Sequence, residues 1–192
     1  MIKNLIFDFG GVLVGLDRQR CIDAFTRIGA GAIAGYVDEC RQEDLFHELE
    51  VGAIGVAGFC DEVRRACPAC TASDAEICAA WNALLTGIPA ERLSMLARLK
   101  ENHRLVLLSN TNPIHWRKSV DDYFTAAGKT VDWYFERTFL SYEMHMLKPD
   151  GEIFRRVLDE TGFNPSETLF IDDSMKNCLA AEKEGINILN VI

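Results

Sequence analysis

The chain has 192 residues, of which 48% are hydrophobic and 26% charged; this is close to an ordinary globular protein and excludes a disordered, collagen-like or coiled-coil chain. No stretch of about 18 apolar residues is present, so we expect no membrane span. The net charge of −9 argues against nucleic-acid binding through bulk positive charge, but it is compatible with a small anionic substrate that a few local groups hold.

The first predicted element is a buried strand over residues 5–9. Residues 5–7 are apolar, Asp8 and Phe9 follow them, and Gly10 and Gly11 come directly afterwards. A run of this length is typical of a strand in a parallel sheet, and the glycines allow a turn and a close approach to the backbone.

The next part of the chain, between about Asp17 and Pro89, has a helical pattern rich in glycine and alanine. One helix in it has Asp74 as its candidate N-cap. Its predicted buried face carries Ile77, Trp81, Leu84 and Leu85. No convincing strand pattern occurs here, so we predict a helical insertion without strands.

Helices and strands alternate from about Pro89 onward. The pattern predicts helices over residues 91–101, 152–161 and 175–184, and strands over residues 104–109, 135–140, 168–172 and 186–189. Such alternation forms right-handed βαβ units and a parallel sheet. We therefore predict an α/β fold with an open doubly wound parallel sheet of Rossmann type. Residues 1–15 and 89–192 would form this core domain, and residues 16–88 an inserted helical cap domain, which we call the cap.

Polar residues follow the predicted strands, at the edge of the sheet where ligands bind in such folds. They are Asp8, Ser109, Asn110, Lys148, Asp172 and Asp173. Three carboxylates close together would repel one another unless a cation joined them, and oxygen ligands suit Mg²⁺. A carboxylate beside such a cation is suited to attack phosphorus, and the lysine, hydroxyl and amide groups are suited to hold a phosphoryl group. The pattern predicts a phosphoryl-transfer site.

Four segments resemble, in order, the motifs of the haloacid dehalogenase (HAD) superfamily of hydrolases. They are residues 6–13, residues 107–110, Lys148 with Pro149, and residues 170–174 with Asn177. Together they extend across nearly the whole chain, and the helical insertion is similar to the cap of that family. Residues 107–112, Gly10 and the pair Asp172 and Asp173 are most similar to the bacterial α-D-glucose-1-phosphate phosphatase group.

The resemblance implies the catalytic and substrate-binding residues. Asp8 would attack phosphorus and form an aspartyl-phosphate. Lys148 would bind the phosphate and keep Asp8 ionised, and Ser109 and Asn110 would bind the remaining phosphate oxygens.

The resemblance also implies a Mg²⁺ site. Its ligands would be the carboxylates of Asp8 and Asp173 and the backbone carbonyl of Gly10. Asp172 would support the site, through water or by orienting other groups, and Asn177 would assist it from one helical turn further on.

Position 10 departs from the usual family pattern. Most phosphatases of the superfamily carry a second aspartate there, which protonates the leaving group and later activates water. Gly10 offers only its carbonyl. A water molecule or Asp17 would have to supply the proton, although Asp17 is equally suited to cap the following helix. A leaving group that needs little protonation, such as an anomeric sugar hydroxyl, would tolerate the loss best.

The resulting hypothesis is a Mg²⁺-dependent phosphatase that acts on a small phosphorylated metabolite such as a hexose 1-phosphate. A 2-haloacid dehalogenase, in which Asp8 attacks carbon without a metal, is one alternative. A weakly active protein that binds a phosphorylated ligand is another, because of Gly10, and a phosphomutase is a weaker one. Neither nucleic acid nor membrane is an expected partner, and the sequence leaves the oligomeric state open.

Several further residues have two interpretations. His115 and Trp116 could line the substrate entrance, but packing is favoured, and His145 is a weaker candidate for the site. Glu48 and Glu50 in the cap could select the substrate or form a solvated helix face. We expect hinges of cap movement near residues 14–16 and 87–89.

The seven cysteines bear on the cellular compartment. Their number is odd, and the first residues lack the features of a signal peptide, so we expect a reducing, cytoplasmic location. Cys67 and Cys70 have the spacing of a redox or zinc pair. No second pair or histidine set completes such a site, so we interpret them as half-buried thiols in a loop.

Overall fold

The computed structural model describes residues 1–39 and 45–191. The strands are Asn4–Phe7 (β1), Gly15–Leu16 (β2), Leu85–Gly87 (β3), Arg104–Ser109 (β4), Arg137–Leu140 (β5), Thr168–Asp172 (β6) and Asn187–Asn190 (β7). The α-helices of the first half are Arg18–Arg27 (α1), Gly31–Glu39 (α2), Leu45–Glu50 (α3), Val56–Ala66 (α4) and Asp74–Asn82 (α5). Those of the second half are Ala90–Leu99 (α6), Pro113–Lys118 (α7), Val131–Tyr134 (α8), Ser141–Met144 (α9), Gly151–Thr161 (α10) and Met175–Lys183 (α11). A π-helical turn (Ser119–Phe124) and two 3₁₀ turns (Thr125–Ala127 and Pro165–Glu167) complete these elements.

Five strands form one parallel sheet in the order β5-β4-β1-β6-β7. The chain runs outward from β1 to β4 and β5 and then crosses to the other side of β1 for β6 and β7. This reversal places a crevice at the carboxyl end of β1, which is where open α/β sheets bind their ligands. The predicted doubly wound parallel sheet is confirmed.

Both faces of the sheet are apolar, as its parallel strands require. In β1, Leu5 and Phe7 pack into one hydrophobic cluster, while Ile6 between them packs into the cluster on the opposite face. β4 alternates in the same way, with Leu105 and Leu107 on the first face. The site residues are thereby fixed at the ends of strands that are buried on both sides.

The predicted strands over residues 104–109 and 168–172 are confirmed at both ends. The predicted strand over 135–140 begins two residues later, and the last strand is displaced by one residue. The three predicted helices in this half differ from α6, α10 and α11 by one or two residues at their ends.

The prediction of an insertion without strands is wrong. β3 pairs antiparallel with β2, and this two-stranded ribbon joins the base of the cap to the core. Strands of two and three residues are too short to show the alternation by which strands are recognised in sequence. The ribbon lies at both of the expected hinges, whose movement stays a prediction.

The prediction of Asp74 as an N-cap is also wrong. Ser73 caps α5: its hydroxyl accepts a hydrogen bond from the backbone of Glu76, whose carboxylate accepts one from the backbone of Ser73. Asp74 is the first helical residue and pairs with Arg64 at 2.8 Å. The helix ends at Asn82, so Leu84 and Leu85 lie beyond it.

A hydrophobic cluster of its own fills the cap. Its buried members lie between Cys21 and Trp81, apart from Ile114 of α7. The ring centroids of Phe46 and Trp81 are 4.4 Å apart within it. A separate cluster supports the division of the chain into residues 16–88 and a core of residues 1–15 and 89–192, and this division stays a prediction.

The cysteines of the described residues are free thiols: Cys21, Cys60, Cys67, Cys70, Cys78 and Cys178. Cys67 directly follows α4, and both it and Cys70 are buried rather than half-buried, packed in the cluster of the cap. Cys40, predicted to be helical, lies outside the described residues, and the cytoplasmic location stays a prediction. Within residues 1–39 and 45–191, no helix has both the length and the apolar composition that a membrane span requires.

Candidate active site

A buried lysine joins two carboxylates at the carboxyl edge of the sheet. The Lys148 Nζ lies 2.7 Å from Asp8 Oδ1, 2.7 Å from Asp172 Oδ2 and 3.1 Å from the Leu108 carbonyl oxygen. The exposed fraction of the side chain is 1% for Lys148, 9% for Asp8 and 0% for Asp172. Burying a charge is costly unless a group of opposite charge pairs with it. Here the Lys148 ammonium pairs with both carboxylates, and this pairing stabilises all three buried groups.

The pKa values of this group follow from burial and from the pairing. Burial raises the pKa of Asp8 to about 6, against the opposing effect of the Lys148 ammonium. Burial alone would lower the pKa of Lys148, but the charges of Asp8 and Asp172 outweigh it, and the net shift is upward. Lys148 is therefore a fixed cation, and it favours the ionised form of Asp8.

Asp172 has both carboxylate oxygens engaged by protein groups. Oδ2 accepts from Lys148, Oδ1 accepts from the Ser174 backbone at 2.7 Å, and the Asn177 amide lies 3.1 Å from each oxygen. These bonds fix the Asp172 carboxylate, which in turn fixes the position of the Lys148 ammonium. They support the orienting role that was expected of Asp172 and the assisting role that was expected of Asn177.

Asp173 lies on the exposed side of the same site and packs onto the glycine turn after β1. Burial raises its pKa, and the neighbouring charge of Asp172 adds to the shift. A Cβ added to Gly11 would lie 2.1 Å from Asp173 Oδ2. Gly11 also has φ +79°, a conformation that favours glycine. A side chain at position 11 would therefore push the Asp173 carboxylate away from this place.

The three aspartates fit a hard divalent cation. Ligand atoms of Asp8, Asp172 and Asp173 all lie within 4.8 Å of one another, and they are the one such cluster found among the described residues. Oxygen ligands with room for water are what Mg²⁺ prefers. The hydrogen bonds of the glycine turn use the carbonyls of Phe9 and Val14 and not that of Gly10. This is compatible with the expected role of the Gly10 carbonyl.

Replacing Gly11 by alanine should displace Asp173 and weaken Mg²⁺ binding about 10- to 100-fold, a loss typical of changes next to metal ligands. Gly128→Ala is the matched control, because Gly128 has a similar φ of +77° and nothing lies within 4 Å of a Cβ added there. The measurement is the rise in melting temperature on titration with Mg²⁺. Equal Mg²⁺ affinities of the two variants would contradict the proposed placement of Asp173.

Ser109 and Asn110 occupy the end of β4, directly beside this group. The Ser109 side chain is buried, and its hydroxyl donates to the Asn110 carbonyl at 3.3 Å. The Asn110 amide donates to the Lys148 carbonyl at 2.9 Å, and its oxygen accepts from the Lys148 backbone at 2.9 Å. The Asn110 side chain thus clamps the lysine loop, and its expected contact with phosphate stays a prediction.

Three other residues that the sequence offered as candidates make structural contacts, namely a helix cap, a ring contact and a contact between core and cap. Asp17 caps α1, accepting from the Arg20 backbone at 3.0 Å, which confirms its interpretation as an N-cap. Trp116 packs edge-on against Phe9 with ring centroids 5.7 Å apart. His145 lies on the surface of the core next to the cap, with its Nδ1 3.0 Å from the Val51 carbonyl oxygen.

His115 is buried between the cap and the core. Its ring stacks on Trp81 at 4.4 Å; its Nδ1 lies 3.2 Å from the Asn112 amide and its Nε2 3.1 Å from the Trp81 carbonyl. A neutral imidazole with its proton on Nε2 satisfies both contacts. Burial lowers the pKa of His115 to about 4. The favoured interpretation as a packing residue is supported.

This burial predicts a pH-dependent stability. The unfolded chain binds a proton at His115 below its ordinary pKa of 6.5, while the folded chain does so only near pH 4. The free energy of unfolding should therefore fall as the pH drops from 6.5 to 4, by on the order of 3 kcal/mol from this residue. Urea unfolding of the wild type and His115→Gln across this range measures the effect. An equal pH dependence of the two proteins would contradict it.

Sequence reasoning missed two residues that shape the site. In the sequence Gly11 indicates only a turn, whereas in the structure it leaves the space that the Asp173 carboxylate occupies. Ser141 belongs to none of the four motifs, although its hydroxyl is fully buried next to the loop after β4. Its place directly after β5 is a signal that could have found it, because the other site residues also follow strands.

Known proteins resemble this chain over almost its full length. A family model described as haloacid dehalogenase-like hydrolase matches residues 2–185. A D-ribitol-5-phosphate phosphatase of Bacteroides thetaiotaomicron is 33% identical over 185 residues, which cover 96% of this chain and 89% of that protein.

Two solved structures are similar in fold and sequence. A HAD family enzyme of Bacteroides thetaiotaomicron, crystallised in complex with magnesium and inorganic phosphate, is 42% identical, with a TM-score of 0.93 over 100% of this chain and 95% of that one. A HAD-like family hydrolase from Porphyromonas gingivalis is 34% identical, with a TM-score of 0.91 over 99% and 91% of the two chains.

Proposed function

Because this chain belongs to the haloacid dehalogenase-like hydrolase family, we propose that it is a Mg²⁺-dependent phosphatase acting on a small sugar or sugar-alcohol phosphate. The observation that carries the proposal is the buried Lys148, which holds Asp8 at the crevice of the sheet beside Asp172 and Asp173. A nucleophile, a fixed cation and a set of oxygen ligands for a metal are what phosphoryl transfer requires.

In the proposed first step, a carboxylate oxygen of Asp8 attacks phosphorus. The bond between phosphorus and the leaving-group oxygen breaks, and that oxygen keeps the electron pair and takes a proton from water. In the second step, a water molecule attacks phosphorus, the bond to Asp8 breaks, and inorganic phosphate leaves. The proton that the attacking water loses neutralises the hydroxide that the first step left. The Asp8 carboxylate is regenerated, so the net reaction is hydrolysis of the ester.

The other residues hold charge in place during these steps. Lys148 neutralises a phosphoryl oxygen and keeps Asp8 ionised, while Asp172 fixes the position of the lysine. Ser109 and Asn110 are proposed to bind the remaining oxygens. Mg²⁺, held by Asp8, Asp173 and the Gly10 carbonyl, would neutralise the charge of the phosphoryl group.

Two features bear on the choice of substrate. The missing side chain at Gly10 favours a leaving group that needs little protonation, such as the anomeric oxygen of a hexose 1-phosphate. The 33% identity to a D-ribitol-5-phosphate phosphatase favours a sugar-alcohol phosphate. Both are small polyhydroxylated phosphates, and the rates at which the protein hydrolyses the two compounds decide between them.

Phosphate release from a panel of metabolites, with Mg²⁺ and with a chelator, tests the proposal. The panel contains D-glucose 1-phosphate, D-ribitol 5-phosphate, acetyl phosphate and non-sugar phosphate esters. We expect turnover that needs Mg²⁺ and is fastest on one of the two sugar compounds. Absence of phosphate release from every compound, or equal rates with the chelator, would overturn the proposed function.

The same assay addresses the alternatives. Release of halide from 2-chloropropionate without metal would support a dehalogenase, which three clustered carboxylates disfavour, because they would repel an anionic haloacid. Binding of a phosphate ester without turnover would support a weakly active binding protein.

A further inference from the structure

Building on the phosphatase function proposed above, we propose that Ser141 is a positioning residue that couples the cap to the phosphate site. Its buried hydroxyl docks the end of cap helix α3 onto the loop that follows β4. Contact of the cap with the leaving group of the substrate is thereby transmitted to the groups around Asp8.

The Ser141 hydroxyl stands at a junction of three backbone groups. It accepts a hydrogen bond from the Thr111 backbone at 2.9 Å and lies 2.6 Å from the Glu50 carbonyl and 2.9 Å from the Thr111 carbonyl. Its single proton can serve one of these carbonyls fully, and the shorter distance favours Glu50. Glu50 is the last residue of α3, so this contact ties the C-terminal end of the helix to the core. Ser141 is 0% exposed, so its hydroxyl makes these contacts out of reach of bulk water.

A second contact, at Gly52 two residues after Glu50, holds the same part of the cap. Gly52 has φ +73°, and a Cβ added to it would lie 2.2 Å from the Tyr142 carbonyl oxygen. Val51, next to Gly52, has its carbonyl oxygen 3.0 Å from His145 Nδ1. Residue 52 of the cap therefore lies too close to α9 to carry a side chain, and this approach depends on glycine.

From Ser141 a continuous path of short contacts leads to the nucleophile. Thr111, bound by Ser141, directly follows Asn110, whose side chain makes two hydrogen bonds to the backbone of Lys148. The Lys148 ammonium then contacts Asp8 at 2.7 Å. A shift of the end of α3 thus acts on the loop that positions both the lysine and the phosphate.

This arrangement predicts an effect that depends on the substrate. The effect requires that the leaving group of a sugar phosphate contacts the cap and that the smaller acetyl group of acetyl phosphate does not. Loss of docking should therefore slow the first far more than the second. Misplacement of reacting groups by about 1 Å can cost about 100-fold in rate, so we expect Ser141→Ala to lower kcat/KM for the sugar phosphate about 10- to 100-fold.

The test compares wild type, Ser141→Ala, Gly52→Ala and the double variant. The substrates are acetyl phosphate and whichever of D-glucose 1-phosphate and D-ribitol 5-phosphate the wild type hydrolyses faster. Both single variants should lower the ratio of kcat/KM for the sugar phosphate to that for acetyl phosphate. Because both changes break the same docking contact, the double variant should lose little more than either single one.

Two matched controls separate docking from general damage. Ser119→Ala removes another fully buried hydroxyl, one that donates to the His115 carbonyl at 2.7 Å within α7 and the turn after it. Gly128→Ala strains another glycine of positive φ that has nothing within 4 Å of its added Cβ. Both should leave the ratio unchanged.

An unchanged ratio in Ser141→Ala overturns the inference, provided that the wild type is active. If Ser141→Ala does not fold, Gly52→Ala decides in its place, and an unchanged ratio there overturns the inference too. An inactive wild type on every ester would instead overturn the proposed function itself, so the two failures are distinguishable.

Discussion

Asp8→Asn should lower kcat by about 10⁴-fold or more, as removal of an enzymatic nucleophile does. Asparagine keeps the shape of the side chain and an oxygen for the contact with Lys148 Nζ, which is 2.7 Å long in the wild type. Its neutral amide oxygen is a poor nucleophile, and it no longer offers a charged ligand to Mg²⁺. The measurement is steady-state phosphate release from the best substrate of the panel.

The matched control for this change is Asp159→Asn, which removes an exposed carboxylate from α10 in the same core. We expect it to retain the activity of the wild type. Circular dichroism and the melting temperature should show both variants folded. A folded Asp8→Asn that kept more than a tenth of the activity would contradict the assignment of Asp8 as the nucleophile.

Lys148→Met should lower the free energy of unfolding by about 3–5 kcal/mol, the cost of leaving buried charges without their partner. The ammonium lies 2.7 Å from each of two carboxylates, whose side chains are 9% and 0% exposed. Urea unfolding in the presence of a chelator measures this change, because bound Mg²⁺ would otherwise offset part of the lost charge. The variant should also be inactive.

A control and a rescue test the cause of this instability. Lys3→Met breaks an ion pair with Glu167 of the same 2.7 Å length, but both groups are substantially exposed, so the expected loss is below about 1 kcal/mol. Adding Asp172→Asn to Lys148→Met removes one uncompensated charge and should restore part of the stability without restoring activity. Equal destabilisation by Lys3→Met and Lys148→Met would contradict the account.

Much of the core could be predicted from sequence because its strands are buried on both faces. Residues 104–109 and 168–172 are short apolar runs that end at polar residues, and such runs have few alternatives to a central parallel strand. Parallel strands also bring their carboxyl ends to one edge of the sheet. The proximity of Asp8, Lys148 and Asp172 could therefore be expected without coordinates.

Other features depend on tertiary contacts that no local pattern shows. The ribbon of β2 and β3 consists of five residues and exists only because the two ends of the insertion meet. Ser73 and Asp74 are both good N-caps, and the reciprocal bond of Ser73 with Glu76 decides between them. The docking of α3 on Ser141 joins residues 91 positions apart, beyond the reach of periodicity.

The central claim is that the phosphoryl group passes through a covalent bond to Asp8. Acid quenching of the enzyme within its first turnover of a ³²P-labelled substrate, followed by borohydride reduction and peptide mapping, tests it directly. Borohydride converts an aspartyl-phosphate to homoserine, so we predict a burst of labelled protein and homoserine at position 8. Phosphate release without any labelled enzyme, or label on a different residue, would contradict the account.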